Sequence, residues 1–245
     1  MVNFNSRLKD TRLHKFLLIG LFFSLVASCS GEKIDNGQVF RMPISNEPPT
    51  LDWSLATDSV SFDILTNIME GLTQYDSNME PVPAIAKRWE ISKNGKTITY
   101  YLRDDVFWTD GKPVTAHDFE YSWKRLLNPA TAAQYAYFLF DVENAQEFNS
   151  GKIFDPSKVG VSAKTDHILE VRLKKPVVYF PSITTFMVTF PQRKDIVEKF
   201  GDHWTDPENI VTNGPFKLSA WEHEYKLILT ANENFYEGRP PLDTI

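Results

Sequence analysis

Five histidines, one cysteine and thirty-two carboxylates are the side chains of this 245-residue chain that could make or break bonds. Their spacing supplies no reaction centre. His14 lies in a basic N-terminal stretch, His117 falls in the first turn of an expected helix, His167 sits beside a turn, and His203 and His223 lie near tryptophans. None has a second ligand at metal spacing, and neither an HExxH nor a GxSxG pattern occurs. Ser30 and Lys33 match SxxK, but in a short polar stretch where no pocket could pre-organise them. Asp104, Asp105, Asp110 and Glu120 read as solvated faces, because nothing pins two of them across a cleft. No glycine-rich phosphate loop is present. Cys29 stands alone, so it forms no internal disulfide and no thiolate zinc site.

The setting of Cys29 gives it another task. Arg7, Lys9, Arg12 and Lys15 face a single acid, Asp10, before the uncharged run Phe16–Ala27. As a helix that run spans about 18 Å, short of the ~20 residues a membrane crossing needs. A basic region, a short apolar region and small residues at its exit describe a secretory signal over residues 1–28. Val26-Ala27-Ser28-Cys29 resembles the bacterial lipobox, in which the chain is cut before a cysteine that is then acylated. Cys29 is therefore expected to become a tether to the membrane, through more than one acyl chain. The leader holds four basic residues and one acid, so its removal takes the net charge from −6 to −9. A chain that acidic is not built to bind nucleic acid. With 42% hydrophobic residues, and with 18 Phe, 9 Tyr and 6 Trp, the whole chain is globular in composition.

Local patterns then predict the elements. After a polar spacer, residues 29–38, Val39–Ile44 reads as a strand with Phe40, Met42 and Ile44 on one face. Asp58 or Ser59 caps a helix carrying Val60, Ile64, Leu65, Ile68 and Leu72, with Gly71 as its end. Trp89–Leu102 reads as a hairpin turning at Asn94-Gly95 through a type I′ turn. In FWTDGKPVTAHDFEYSWKRLLNP, Phe107–Pro129, Thr115 and Asp118 form a capping box and Val114 and Phe119 a staple. Phe119, Trp123, Leu126 and Leu127 form the buried stripe, and Asn128-Pro129 stops the helix. Asp141–Asn149 reads as a short helix, Val159–Ala163 and Ile168–Leu173 as a strand pair, and Phe186–Phe190 as a further strand. Gln192–Phe200 reads as a helix with Ile196, Val197 and Phe200 inward, and Pro215–Trp221 with Glu224–Thr230 as a last hairpin. Helices and strands mix without βα alternation, and no internal repeat is present.

NEPPTLDWS, IMEGLTQYD, PVPAIAKRWEIS, YYLRDDVFWTDGKPVTAHDFEYSWKRLLNP and EKFGDHWTDPENIVTNGPFKL resemble, in order and spacing, bacterial oligopeptide-binding proteins. These are the solute receptors of peptide ABC importers. The resemblance covers Val39 to about Tyr236 and implies an α/β, periplasmic-binding-protein-like fold of the large peptide-binding class. Carried over, residues 39–70 and 192–245 belong to a discontinuous first domain and 71–191 to a second. A third domain, the opposing jaw, would follow, so the chain is expected to be a truncated copy. The resemblance further implies a non-enzymatic receptor without a cofactor. It would clasp short peptides as an added strand and deliver them to permease and ATPase subunits.

Such a receptor would be a monomer moored by Cys29 in the cell envelope, facing the periplasm or the cell exterior. Thr57, Asp58 and Ser59 would be the pairing edge. Tyr135 would help to hold the ligand's α-ammonium, although a core tyrosine in YAYFLF is the plainer role. A surface lipoprotein serving as an interaction or adhesion module on the same scaffold is the alternative.

Overall fold

The computed structural model describes residues 37–245; the expected signal, Cys29 and most of the expected spacer lie outside the described residues. Helix α1, Ser59–Ile68, starts where Asp58 turns its carboxylate onto the Ser61 amide. A small hairpin of β1, Thr73–Tyr75, and β2, Pro81–Pro83, follows; the sequence patterns did not reveal it. β3, Ala86–Ile91, and β4, Thr97–Leu102, form the expected hairpin. Helix α2, Ala116–Leu127, ends at Asn128, and the short α3 spans Ala145–Asn149. β5, Val161–Thr165, and β6, Ile168–Arg172, complete an antiparallel sheet in the order β3-β4-β6-β5. The short α4, Phe180–Ile183, and α5, Lys194–Phe200, precede the hairpin of β7, Phe216–Glu222, and β8, Lys226–Ala231.

Helix α2 packs on the β5 and β6 strands of the four-stranded sheet and carries the centre of the core. Phe119, Trp123, Leu126 and Leu127 are fully buried, as the stripe requires, against Ile98, Tyr100, Leu169 and Val171 of the sheet. The Asp118 carboxylate accepts from the Thr115 amide at 2.8 Å and from its hydroxyl at 3.0 Å. Val114 and Phe119 are both buried, as a staple demands. Asp118→Ala orphans the Thr115 amide and is expected to cost about 1–2 kcal/mol of stability, read as a lower denaturant midpoint at unchanged slope. One continuous apolar cluster runs from Leu51 through α2 and the sheet to Leu229, and Gln38–Ile245 make a single compact unit.

Several local expectations are corrected. Val39–Ile44 is not a strand: only Val39 bridges Thr244, and the Phe40 amide donates to the Thr244 carbonyl. Pro43 has no N–H to continue a ladder, and Phe40 and Met42 are each half exposed. Helix α1 stops at Ile68, and Met69 is already extended. Gly71 serves clearance instead, since a Cβ there would lie 2.7 Å from the Thr184 carbonyl and 2.8 Å from the Phe190 ring. The β3–β4 hairpin holds, but only Gly95 has a positive φ, +68°, so the turn is not type I′. Gly95 donates to Ser92 O and Ser92 to Thr97 O.

Phe186–Phe190 is a 3₁₀ turn at Met187–Thr189, not a strand. Its carbonyls are taken by side chains: Ser122 Oγ and Trp53 Nε1 donate to Phe190 O, and Trp123 Nε1 donates to Thr189 O. The expected helix over Asp141–Asn149 is confined to α3, because Asn144 is left-handed, φ 60°. Helix α5 begins two residues later than expected, and Ile196, Val197 and Phe200 pack against the core only in part.

Candidate functional site

The residues expected at the pairing edge sit at the mouth of α1. Asp58 is extended, φ −112° and ψ 156°, and its carboxylate is committed to the cap, accepting from Ser61 N at 2.9 Å and Ser61 Oγ at 2.7 Å. Ser59, the first helical residue, is exposed, and Thr57 is half-buried. Among the described residues the Thr57 amide has no protein acceptor. The Thr57 carbonyl accepts from the Tyr135 hydroxyl at 3.3 Å. Two candidates 78 residues apart are thus brought together. A phenol that donates keeps its lone pairs free to accept from a further donor.

The loop ahead of Thr57 is anchored by a buried ion pair. Arg125, on α2, clasps Asp52 with both terminal nitrogens, at 2.9 and 2.6 Å. Ser54 N, Gln192 Nε2 and Trp204 Nε1 also donate to the same carboxylate. The Asp52 carbonyl accepts from Leu55 N and Ala56 N, both at 2.8 Å, which turns the chain toward Thr57. Burial pulls the Arg125 guanidinium down, and the hydrogen bonds to Asp52 outweigh that and hold it above its ordinary value. No alignment of charge in the sequence ties residue 52 to residue 125, so this anchor was missed there.

Tyr135 sits in a 3₁₀ segment, Gln134–Leu139, and its ring is part of an aromatic group that the sequence patterns did not assemble. Phe62, Phe138 and Phe186 lie 6.3, 5.6 and 5.9 Å from it, and Tyr137 lies at 5.9 Å. The aromatic density of YAYFLF was the available signal; its partners on α1 and near residue 186 carried none.

At the far end of α1 two segments cross. Gly214 N donates to Ile68 O at 2.9 Å, and Asn213 takes both the amide and the carbonyl of Glu70. A Cβ on Gly214 would lie 2.5 Å from Ile68 C, so only glycine fits there. The Tyr236 hydroxyl donates to Glu70 at 2.8 Å. Burial, the largest influence, raises the Glu70 carboxyl from 4.5 to about 7 against that hydrogen bond.

Among the described residues no group of histidine, cysteine and carboxylates could hold a metal, and no helix is long and apolar enough to cross a membrane. His117 faces Asp166, His203 faces Asp206 and His223 faces Glu47. None of the three touches a nucleophile in these contacts. The arrangement offers an extended backbone with an open amide, a two-way hydroxyl and an apolar flank, which is recognition chemistry.

Residues 80–245 match the profile of the bacterial extracellular solute-binding proteins, family 5 Middle. The chain belongs to this family. Over 233 residues, 90% of its length and 42% of the relative's, it is 36% identical to the dipeptide-binding protein DppE of Bacillus subtilis. The structure superposes on the substrate-binding domain of an oligopeptide ABC transporter from Bacillus anthracis with TM-score 0.79 and 38% identity. That match covers 82% of this chain and 39% of the other. The peptide-bound OppA of Listeria monocytogenes matches with TM-score 0.79 and 33% identity, over 82% and 40%.

The expected α/β fold of the large peptide-binding class is therefore the one this chain shares with these proteins. It spans about two fifths of the length of the curated relatives it matches, 42% of the first two. The family is one of bacterial extracellular solute-binding proteins.

Proposed function

We propose that this chain is part of a non-enzymatic receptor that captures short peptides and delivers them to the permease and ATPase subunits of an ABC importer. The peptide adds as a strand along Thr57, Asp58 and Ser59, so its backbone supplies most of the affinity and many sequences are accepted. Tyr135 donates to Thr57 O and accepts from the peptide's α-ammonium. Residues 39–70 with 192–245 and residues 71–191 act as two domains on one core, and the receptor works as a monomer. An acylated Cys29 moors it in the cell envelope. The observation that carries the reading is the Tyr135 hydroxyl on the Thr57 carbonyl, beside an extended backbone whose own amide has no acceptor among the described residues.

Calorimetric titration of the complete protein with a panel of tripeptides tests it. Binding at micromolar or tighter, with every peptide recovered uncut, is expected. A folded protein that binds none of them overturns the reading. Tyr135→Phe removes the ammonium's acceptor and should weaken binding roughly tenfold, the low end for a hydrogen bond to a charged group. Cys29→Ser should move the protein from the membrane fraction to the soluble fraction; retention in the membrane would refute the tether.

A further inference from the structure

The aromatic group around Tyr135 is larger than a hydroxyl needs for its support. Phe138 and Phe186 lie 4.7 Å apart, Phe62 meets Phe186 edge-on at 5.5 Å, and Tyr137 stacks on Phe138 at 4.7 Å and 25°. These rings come from α1, from the 3₁₀ segment Gln134–Leu139 and from the turn before Met187, so the fold gathers them from three places. None is fully buried: Phe62, Tyr135, Phe138 and Phe186 are half-buried and Tyr137 is 54% exposed. Trp53, Trp108, Trp123 and Phe119, at the centre of the core, are covered, whereas these five rings keep part of their surface open.

We propose that this shelf is a subsite for a large apolar side chain, aromatic above all, and that it sets the peptide preference of the receptor. The inference rests on the peptide-binding reading above. It goes further by naming the class of residue selected and the rings that select it. The shelf is joined to the pairing edge through the Tyr135–Thr57 hydrogen bond. Side chains on one face of an added strand recur every ~6.6–6.8 Å. The Phe62 and Phe138 rings, centred 6.3 and 5.6 Å from the Tyr135 ring, pack around the residue whose hydroxyl meets Thr57.

The chemistry favours an uncharged guest. Among the described residues no cation lies over any of the five rings; the arginine and lysine contacts with aromatic rings are all made elsewhere. The neighbouring carboxylate, Asp58, is spent on the α1 cap. A lysine or glutamate placed there would lose water without gaining a counter-charge. An aromatic residue would bury its ring against edges and faces already set at offset and edge-on angles.

The test is a set of tripeptides in which each position of trialanine is replaced in turn by Phe, Ile, Lys or Glu, titrated into the complete protein. At one position Phe should bind at least tenfold tighter than Ala, with Ile between them and Lys and Glu weakest. In Phe186→Ala, which removes the ring touching three others, the Phe/Ala ratio at that position should fall to within about twofold. Tyr137→Ala removes an exposed ring, leaves the core intact and should reduce the ratio in the same direction if Phe186→Ala fails to fold. Equal binding of Phe and Ala at every position, a preference for Lys, or a ratio unchanged in both variants overturns the shelf while leaving the receptor standing. No binding by any peptide overturns the receptor and the shelf together.

Discussion

Replacing Asp52 with alanine is expected to lower stability by about 3–5 kcal/mol, the range for removing one partner of a buried ion pair. The size follows from what is left behind. Arg125 loses both of its short contacts and keeps only Gln192 Oε1, at 3.4 Å. Trp204 Nε1 and the Ser54 amide, both buried, lose their acceptor as well. Each orphaned group carries its own desolvation penalty. The pair itself is not the source of the energy, because taking two charges out of water offsets most of their attraction. Asp52→Leu combined with Arg125→Met should therefore recover a large part of what Asp52→Leu alone loses, whereas Arg125→Met alone should not. Guanidinium denaturation of the four proteins measures the cycle. If Asp52→Ala costs less than about 1 kcal/mol, the network is solvated and the anchor does not exist. The same substitution should weaken peptide binding, since the Asp52 carboxylate anchors the loop that leads to Thr57.

How far the sequence could be read depends on where each element's deciding partner lies. Helix α2 was legible because its start, its stripe and its stop are written within fifteen residues by Thr115, Asp118, Trp123 and Pro129. The hairpins β3–β4 and β7–β8 were legible for the same reason, their turn residues lying between two apolar runs. Phe186–Phe190 misled because β-branched and aromatic residues favour a strand locally. There Trp53, Ser122 and Trp123, more than sixty residues away, claim the carbonyls a strand would have used. Val39–Ile44 misled in the opposite way, having the alternation of a strand and only one residue that finds a neighbour. The site divides similarly. Thr57, Asp58, Ser59 and Tyr135 came from a family resemblance, not from periodicity. Phe62 and Phe186 join Tyr135 only through tertiary packing, and Arg125 meets Asp52 across 73 residues. Their assembly is a property of the core.

Glu70 should give the chain's stability a measurable pH dependence. Its carboxyl is raised to about 7 from 4.5, first by burial, then with a contribution from Glu237, against the Tyr236 hydrogen bond and the Arg103 charge. The Arg103 guanidinium lies over the Tyr236 ring at 4.5 Å but spends its hydrogen bonds on Asp105. Tyr236 in turn is pushed above its ordinary value by burial first and by Glu70 next. An acid whose folded value is raised holds its proton in the native state at pH values where the unfolded chain has lost it. Its contribution is therefore fully present below pH 4.5, falls between 4.5 and 7, and is gone above 7. A shift of that size corresponds to about 3 kcal/mol at most, at 1.36 kcal/mol per pKa unit. Glu70→Gln cannot ionise and keeps an acceptor for Tyr236, so its stability should not show this loss. The difference between the two proteins should be small at pH 4.5 and should grow to favour Glu70→Gln by pH 8. A difference that stays flat from pH 4.5 to 8 would show that Glu70 titrates normally. Asn213 holds both backbone groups of Glu70 while Gly214 packs on Ile68, so the titrating carboxyl sits beside the crossing where residues 68–70 meet 213–214.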